Sequence, residues 1–139
     1  MKIIQFDGGS VPNPGIRGIG VILLEDDHVL KEISRKLDGT GTNNEAEYSA
    51  LIEGLKQALA LGWTEILVQG DSSLVINQVV GSWKVNKDNL KPLNEEAKLL
   101  LSKFRSVKVE WIPREMNFRA DAAASRALGS DRADVCGDL

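Results

Sequence analysis

The chain has 139 residues, of which 42% are hydrophobic and 27% charged, and its net charge at pH 7 is −3. This length and composition are typical of one soluble globular domain and exclude an intrinsically disordered chain. The acidic balance argues against a general nucleic-acid binder, because sequence-independent affinity comes mostly from Lys and Arg that neutralise phosphates. It does not exclude an enzyme that meets phosphates through metal ions.

Three features concern the compartment in which the protein works. No apolar run approaches the length of about 20 residues that spans a bilayer. The first strand reaches Asp7 too early for a signal peptide. The single cysteine, Cys136, excludes an internal disulfide and fits a reducing environment. We therefore expect a cytoplasmic protein without membrane contact, and because no feature predicts an interface we expect a monomer.

The hydrophobic pattern predicts strands and helices in the order βββαβααβα. Apolar residues that alternate or form short runs predict strands at 2–7, 18–25, 29–37, 65–69 and 107–112. Turn residues predict loops at 11–15 and 38–42. Apolar residues at helical spacing, with glycine stops, predict helices at 44–62, 73–80, 90–104 and 117–128. The order predicts an α/β fold with a mixed five-stranded sheet, three antiparallel strands followed by parallel ones, flanked by helices. Residues 1–128 would form one domain, and 129–139 a flexible tail.

Four acidic residues lie where strands are predicted to end and helices to begin: Asp7, Glu47, Asp71 and Asp121. Carboxylates in such places can converge on one edge of an open α/β sheet, where ligands usually bind. Four converging carboxylates cannot all stay ionised without cations, because like charges repel. Mg²⁺ is the hard, oxygen-seeking ion that such a site would recruit.

Each acid also has a purely structural interpretation. Asp7 could start a turn before the following glycine. Glu47 could be the third residue of a capping box opened by Asn44. Asp71 could cap the next helix, and Asp121 could be a solvated helix residue. Taken singly, these structural interpretations are favoured.

The motifs that contain the acids together resemble type 1 ribonuclease H, in the family's order and spacing over residues 1 to about 128. They are Asp7-Gly8-Gly9-Ser10, Asn13-Pro14-Gly15, Thr42-Asn43-Asn44-Glu45-Ala46-Glu47, Gly70-Asp71-Ser72 and Trp111-Ile112-Pro113-Arg114-Glu115-x-Asn117-x-x-x-Asp121. Helical periodicity does not choose between Glu45 and Glu47, since both flank the apolar stripe at similar angles. The resemblance implies that Glu47 is the catalytic glutamate, beside the three aspartates.

The resemblance implies an endonuclease that cuts the RNA strand of an RNA/DNA hybrid. Two Mg²⁺ ions, with Mn²⁺ as a possible substitute, would stabilise both ends of an in-line displacement at the phosphate. We expect Asp7 to bridge the ions, Glu47 and Asp71 to complete the site on the leaving-oxygen side, and Asp121 to hold the ion beside the nucleophilic water. The products would carry 3′-hydroxyl and 5′-phosphate ends.

Substrate contacts are implied in the same way, because the 2′-hydroxyl must distinguish RNA from DNA. We expect the backbone of Gly8, Gly9 and Ser10 to lie close to the sugars of the substrate. We expect Asn13, Asn43 and Asn44 to contact the minor groove of the hybrid. A DNA phosphate pocket is expected at Thr42 and Asn86, a DNA channel at Trp83, and a short polar contact at Ser73. The asparagines could instead serve turns and caps, and the Trp83 ring could pack on the neighbouring helix.

The chain departs from some family members in three places, the first of which is the polar contact at Ser73, where a longer glutamine is often found. No histidine lies between Trp111 and Asp121, so Arg114 is the nearby candidate for the role of the loop histidine, although a surface ion pair would explain it equally well. The segment 81–90 is too short for a basic protrusion. We therefore expect a short family form with modest hybrid affinity. A non-catalytic binding module, or a nuclease for double-stranded RNA or a DNA junction, are the alternatives.

Overall fold

The computed structural model describes residues 1–129, which form five strands, four α-helices and one short 3-10 helix. The strands are β1 (Lys2–Val11), β2 (Gly15–Glu25), β3 (His28–Gly41), β4 (Glu65–Gly70) and β5 (Ser106–Trp111). The α-helices are α1 (Asn43–Ala60), α2 (Ser73–Val79), α3 (Lys91–Leu101) and α4 (Phe118–Ala127), and Arg114–Met116 form the 3-10 helix. The predicted flexible tail, apart from Gly129, and Cys136 lie outside the described residues.

The strands form one mixed sheet in the order β3-β2-β1-β4-β5. β1 pairs antiparallel with β2, and β2 with β3. β4 pairs in parallel with both β1 and β5. The predicted α/β fold, with three antiparallel strands followed by parallel ones, is therefore confirmed.

The first three strands are longer than predicted. β1 does not end at Asp7 but runs through the Gly8-Gly9-Ser10 segment, which pairs with β2 in unbroken register. β3 likewise includes most of the predicted 38–42 loop and pairs Gly41 with Gly15. Pairing with a neighbouring strand outweighs the turn preference of glycine and aspartate, because strand propensity depends strongly on context. The 3-10 helix was not predicted, and α3 ends at Leu101 rather than at residue 104.

Helices cover the two faces of the sheet. α1 packs on the face that carries Ile4 and Phe6, where the larger hydrophobic cluster lies. α4 packs on the other face against Ile22 and Leu24 through its alanines. None of the helices in residues 1–129 is long and apolar enough to cross a membrane.

Candidate active site

Two parallel strands place two aspartates side by side. Phe6 of β1 pairs with Gly70 of β4, so Asp7 and Asp71 follow at the same level of the sheet. Glu47 of α1 joins them, and one carboxylate oxygen from each of the three residues lies within 4.8 Å of the others. Asp7 and Glu47 are buried, each with only 8% of its surface exposed. Three acids from three elements thus share one small volume.

The start of α1 separates the roles of its two glutamates. Glu45 closes a capping box with Thr42: its backbone N–H donates to Thr42 Oγ1 (3.2 Å), and its Oε1 accepts from the Thr42 N–H (2.7 Å). Glu47 Oε1 accepts from the backbone N–H of Gly8 on β1 (2.9 Å). The proposal of a capping box opened by Asn44 is therefore wrong, because Thr42 opens it. Glu47, not Glu45, is the glutamate at the acidic cluster.

Gly8 allows the close approach that brings Glu47 to β1. A Cβ atom at this position would lie 2.4 Å from the backbone carbonyl carbon of Ala46 and 2.7 Å from the backbone nitrogen of Glu47. Any side chain would collide with α1, since such distances are far below van der Waals contact. The Cβ side of Gly8 is therefore filled by the helix, while its backbone lines the cleft beside the acids, and the predicted contact with a sugar stays a prediction.

Asp71 is held by contacts on both sides. It does not cap α2, as its structural interpretation required, because Ser72 is the N-cap and its Oγ accepts from Val75 N (3.2 Å). The indole Nε1 of Trp111 donates to the Asp71 carbonyl oxygen (3.1 Å). The fully buried Asn117 donates from Nδ2 to the carbonyl of Phe6 (2.9 Å), and its side chain opposes the rise that burial causes in the pKa of Asp71.

Trp111 and Asn117 therefore help to build the site, a role that sequence reasoning missed. Both lie inside the Trp111–Asp121 motif, which is the sequence feature that could have pointed to them. The motif showed that these residues belong together in sequence. It could not show that the Asn117 side chain is buried beneath β1.

Asp121 approaches the cluster from the first turn of α4. Its Oδ1 accepts from Arg114 Nη2 (3.1 Å), so Arg114 forms an ion pair with the fourth acid. A hydrogen bond between the Asp121 and Asp7 side chains contributes to the raised pKa of Asp7. All four predicted acids are thus neighbours, although Asp121 lies outside the group of three oxygens.

The electrostatics of the cluster favour a cation. Burial, and then the charge of Asp71, raise the pKa of Asp7 to about 7. Burial and the charges of Asp7 and Asp71 raise the pKa of Glu47 well above its usual range. Burial also raises the pKa of Asp71, while Arg114 opposes the rise. Negative charge that the protein does not fully compensate, presented on carboxylate oxygens, suits a hard divalent ion such as Mg²⁺.

The site opens into a cleft of about 500 Å³ that also touches Trp111 and Arg114. On its β1 side, Asn43 Oδ1 accepts from the Ser10 backbone N–H (2.7 Å) and from Ser10 Oγ (3.1 Å). Asn13 Oδ1 accepts from Ser10 Oγ (3.2 Å) and from the Asn43 backbone N–H (3.1 Å). These asparagines therefore have the structural role that was considered, tying β1 to the start of α1.

A second cleft of about 420 Å³ adjoins the first. It is lined by Asn13, Thr42, Asn43, Asn44, Lys87, Asn89 and Leu90. Thr42 thus faces a cleft that Lys87 makes more positive. Asn86, the predicted partner of Thr42, is exposed in the same segment but does not line this cleft.

The two remaining predicted contacts lie on and after α2. Ser73 is the first residue of α2, and its Oγ accepts from Asn77 Nδ2 (3.2 Å). Trp83 is 48% exposed, so its ring is only partly packed against the protein.

Known proteins share this fold and sequence. Residues 5–127 match a family model described as reverse transcriptase-like. The bifunctional protein Rv2228c of Mycobacterium tuberculosis is 43% identical over 138 residues, which are 98% of this chain but only 38% of that longer protein. The crystal structure of RNase H1 from the halophilic archaeon Halobacterium salinarum superposes with a TM-score of 0.89 at 38% identity, covering 93% of this chain and 98% of that one. A structure of LC11-RNase H1 in complex with an RNA/DNA hybrid superposes with a TM-score of 0.87 at 34% identity, covering 94% and 98% of the two chains.

The mixed sheet, with helices on both faces and acids gathered where β1 and β4 run side by side, defines a ribonuclease H-like fold. Together with the extent of these matches, it shows that the chain belongs to the type 1 ribonuclease H family of nucleases.

Proposed function

We propose that this chain is a metal-dependent endonuclease that hydrolyses the RNA strand of RNA/DNA hybrids. The observation that carries the proposal is the meeting of Asp7, Glu47 and Asp71, whose carboxylate oxygens lie within 4.8 Å of one another. A cluster of buried carboxylates with raised pKa values destabilises the folded protein at neutral pH. Ionisable groups with such perturbed pKa values concentrate at functional sites. The relatives named ribonuclease H support the same chemistry.

The four acids would hold two Mg²⁺ ions, or Mn²⁺ in their place. When bound, such ions supply charge stabilisation to the attacking and leaving oxygens of the phosphate and lower the pKa of water. Asp7, central in the cluster, would contact both ions, with Glu47 and Asp71 on the leaving-oxygen side and Asp121 on the side of the attacking water. Cleavage would leave 3′-hydroxyl and 5′-phosphate ends. Arg114 would orient Asp121 through their ion pair.

The cleft beside the acids would receive the hybrid, and the structure of LC11-RNase H1 in complex with an RNA/DNA hybrid supports a ligand of this kind. The amide oxygens of Asn13 and Asn43 are engaged with Ser10 and the backbone, so a ligand would meet the N–H groups of these amides. Such donors suit the acceptors of the hybrid minor groove. The second cleft, with Thr42 and Lys87, would take a phosphate of the DNA strand.

The other predicted contacts belong to the same surface. Gly9 lines the acidic cleft and Asn44 the second cleft. Trp83 and Asn86 would lie along the DNA strand, and Ser73 would make a short polar contact beside the site. The cytoplasmic location and the monomeric state stay predictions.

A gel assay tests the proposal directly. Labelled RNA/DNA, RNA/RNA and DNA/DNA duplexes are incubated with Mg²⁺, with Mn²⁺ or with chelator. We expect cleavage of the RNA strand in the hybrid only, with either metal and not with chelator, and end-labelling should reveal 5′-phosphate products. Hybrid binding without turnover would identify a binding module, and cleavage of RNA/RNA would identify a broader substrate range.

A further inference from the structure

A buried polar network joins the three helices behind the acidic site. Tyr48 of α1, Gln78 of α2 and Asn94 of α3 are exposed by only 0%, 3% and 5%. Polar groups buried this deeply weaken a fold unless they are hydrogen-bonded, and when all are bonded they fix one arrangement of the elements that carry them.

The hydrogen bonds of the network form a chain. Asn94 Nδ2 donates to the Tyr48 hydroxyl (3.0 Å), which in turn donates to Gln78 Oε1 (2.7 Å). Gln78 Nε2 then donates to the backbone carbonyl of Lys84 (3.2 Å). Burial raises the pKa of Tyr48, so the hydroxyl keeps the proton that it donates. The side chain of Gln78 therefore uses both ends of its amide, one on α1 and one on the segment after α2.

That segment, residues 81–90, is termed the connector. It contains no helix or strand, and it is anchored by Val85, which packs against the core, by the buried Leu90 and by a few hydrogen bonds. The backbone N–H groups of Ser82 and Trp83 both donate to the Asn77 carbonyl (2.9 and 3.1 Å), which fixes the beginning of the connector. The Gln78 amide fixes the next residue, Lys84.

The connector carries exposed side chains, some of which line the proposed substrate surface. Trp83 is 48% exposed, and Lys84 is exposed beside it. Further along, Lys87 lines the cleft that also contains Thr42. The Gln78 bond thus holds the backbone at Lys84, directly after Trp83. A flexible segment would have to be ordered whenever these side chains engaged a ligand, and ordering side chains weakens binding.

We propose that Gln78 is a positioning residue, which holds the connector in place through the Lys84 carbonyl and thereby sets the affinity for the hybrid but not the rate of chemistry. The inference rests on the proposed function, because it takes the hybrid as the ligand of the connector. Tyr48 acts through Gln78, since its hydroxyl orients the Gln78 amide and it stands next to Glu47 on α1. One network therefore ties the ligand surface to the helix that carries an acid of the site.

The test uses Gln78→Met, which keeps the volume of the side chain and removes both of its hydrogen bonds. Tyr48→Phe, which keeps the ring and removes the hydroxyl, is the second variant in case the first folds poorly. The matched control is Gln5→Met, because Gln5 of β1 is also buried (8% exposed) and donates to Gln69 of β4 (2.9 Å), a bond within the sheet that does not involve the connector. All three lose buried hydrogen bonds, but only the first two lose bonds that lead to the connector.

Two measurements are made on each protein: hydrogen exchange in peptides that cover the connector, and steady-state cleavage of a labelled hybrid. For Gln78→Met we expect faster exchange in the connector and a rise in KM of about tenfold, as expected when two side chains must be ordered on binding. We expect kcat to stay within about twofold of wild type, because interactions that are the same in ground and transition states affect KM alone. Tyr48→Phe should show the same pattern more weakly, and Gln5→Met neither change.

Each contrary result identifies what fails. Wild-type exchange in the connector of Gln78→Met would refute the positioning contact, whatever the enzyme does. Faster exchange with an unchanged KM would refute its role in affinity. Equal rises of KM in Gln78→Met and Gln5→Met would show a general loss of stability and also refute the role. Failure of the wild-type protein to cleave the hybrid would instead refute the proposed function and, with it, the link to affinity, whereas hydrogen exchange would still report on the contact.

Discussion

Replacing Asp7 with asparagine should stabilise the metal-free protein while it abolishes cleavage. The pKa of Asp7 rises from 3.8 to about 7 because the carboxyl is buried beside Asp71 and Asp121. One pKa unit corresponds to about 1.36 kcal/mol, so ionised Asp7 weakens folding at neutral pH by about 4 kcal/mol at most. Asparagine must still be buried and the neighbouring acids still repel each other, so we expect a net gain of about 1–3 kcal/mol.

The pH dependence of this gain follows from proton linkage. Between pH 3.8 and about 7 the folded protein keeps a proton on Asp7 that the unfolded chain has released. Stability from this group is therefore fully present below pH 3.8 and is lost as the pH rises through about 7. The wild type should lose stability across this window, and Asp7→Asn should lose less. The two proteins should differ most above about pH 7 and least in acid.

Urea unfolding in the presence of chelator, followed by circular dichroism at several pH values, measures this difference. The control is Glu95→Gln, which removes the same charge from an exposed position on α3 and should change stability by less than about 0.5 kcal/mol. Adding Mg²⁺ at about 100 times its Kd should restore about 2.7 kcal/mol to the wild type, because only the folded state binds the ion. Asp7→Asn should gain less from Mg²⁺.

A variant that is less stable than wild type at neutral pH would refute the electrostatic account of the cluster. So would a gain that is the same at all pH values, since it would come from packing rather than from charge. Retained cleavage by Asp7→Asn at the wild-type rate would refute the proposed catalytic role while leaving the stability prediction intact.

Three further predictions concern the surroundings of the acids. Glu47→Gln should abolish cleavage in the gel assay with little loss of stability. Glu45→Ala should keep cleavage and lower the unfolding free energy by about 1 kcal/mol through loss of the capping box. The opposite pattern would reverse the assignment of the two glutamates. Gly8→Ala should lower the unfolding free energy by about 1–3 kcal/mol and reduce kcat, because the added methyl group displaces α1. An unchanged kcat would show that catalysis does not depend on the close packing of α1 against β1. Lys87→Ala should weaken hybrid binding equally for all sequences and reduce the slope of log K against log salt by about 1; an unchanged slope in a binding titration would remove Lys87 from the phosphate contacts.

Much of the fold could be predicted because its signals are local. Gly62 and Gly81 follow helices with φ values of +78° and +90°, a conformation that glycine adopts without strain, and both were expected as helix stops. Strand ends were less predictable. Asp7 precedes two glycines, a pattern typical of turns, yet β1 continues because β2 offers it paired hydrogen bonds up to Val11. That pairing is a tertiary fact, which residue preferences do not contain.

Which of Glu45 and Glu47 joins the acidic cluster could be inferred from more than helical periodicity. Glu45 and Glu47 lie at similar angles to the apolar stripe, so the helical pattern could not separate them. However, Thr42 and Glu45 stand three residues apart at the start of α1, which is the spacing of a capping box. Asn44 and Glu47 have the same spacing, but a capping box begins with Ser or Thr, which favours Thr42 as the first residue and so Glu45 as its partner at the cap. The buried position of Asn117 had no comparable signal, because it depends on where α4 meets β1.

The acids meet because two helices approach the centre of the sheet from opposite faces, and a glycine permits each approach. At Gly8 a Cβ atom would lie 2.4 Å from the backbone of α1, and at Gly20 it would lie 2.2 Å from the backbone carbonyl oxygen of Ala120 on α4. Gly20 pairs with Asp7, so both helices come close to the sheet beside the first acid. Glu47 comes from one helix and Asp121 from the other. The site is therefore a consequence of helix packing: a side chain at either glycine would push away one helix and with it one carboxylate, even though neither glycine carries any charge.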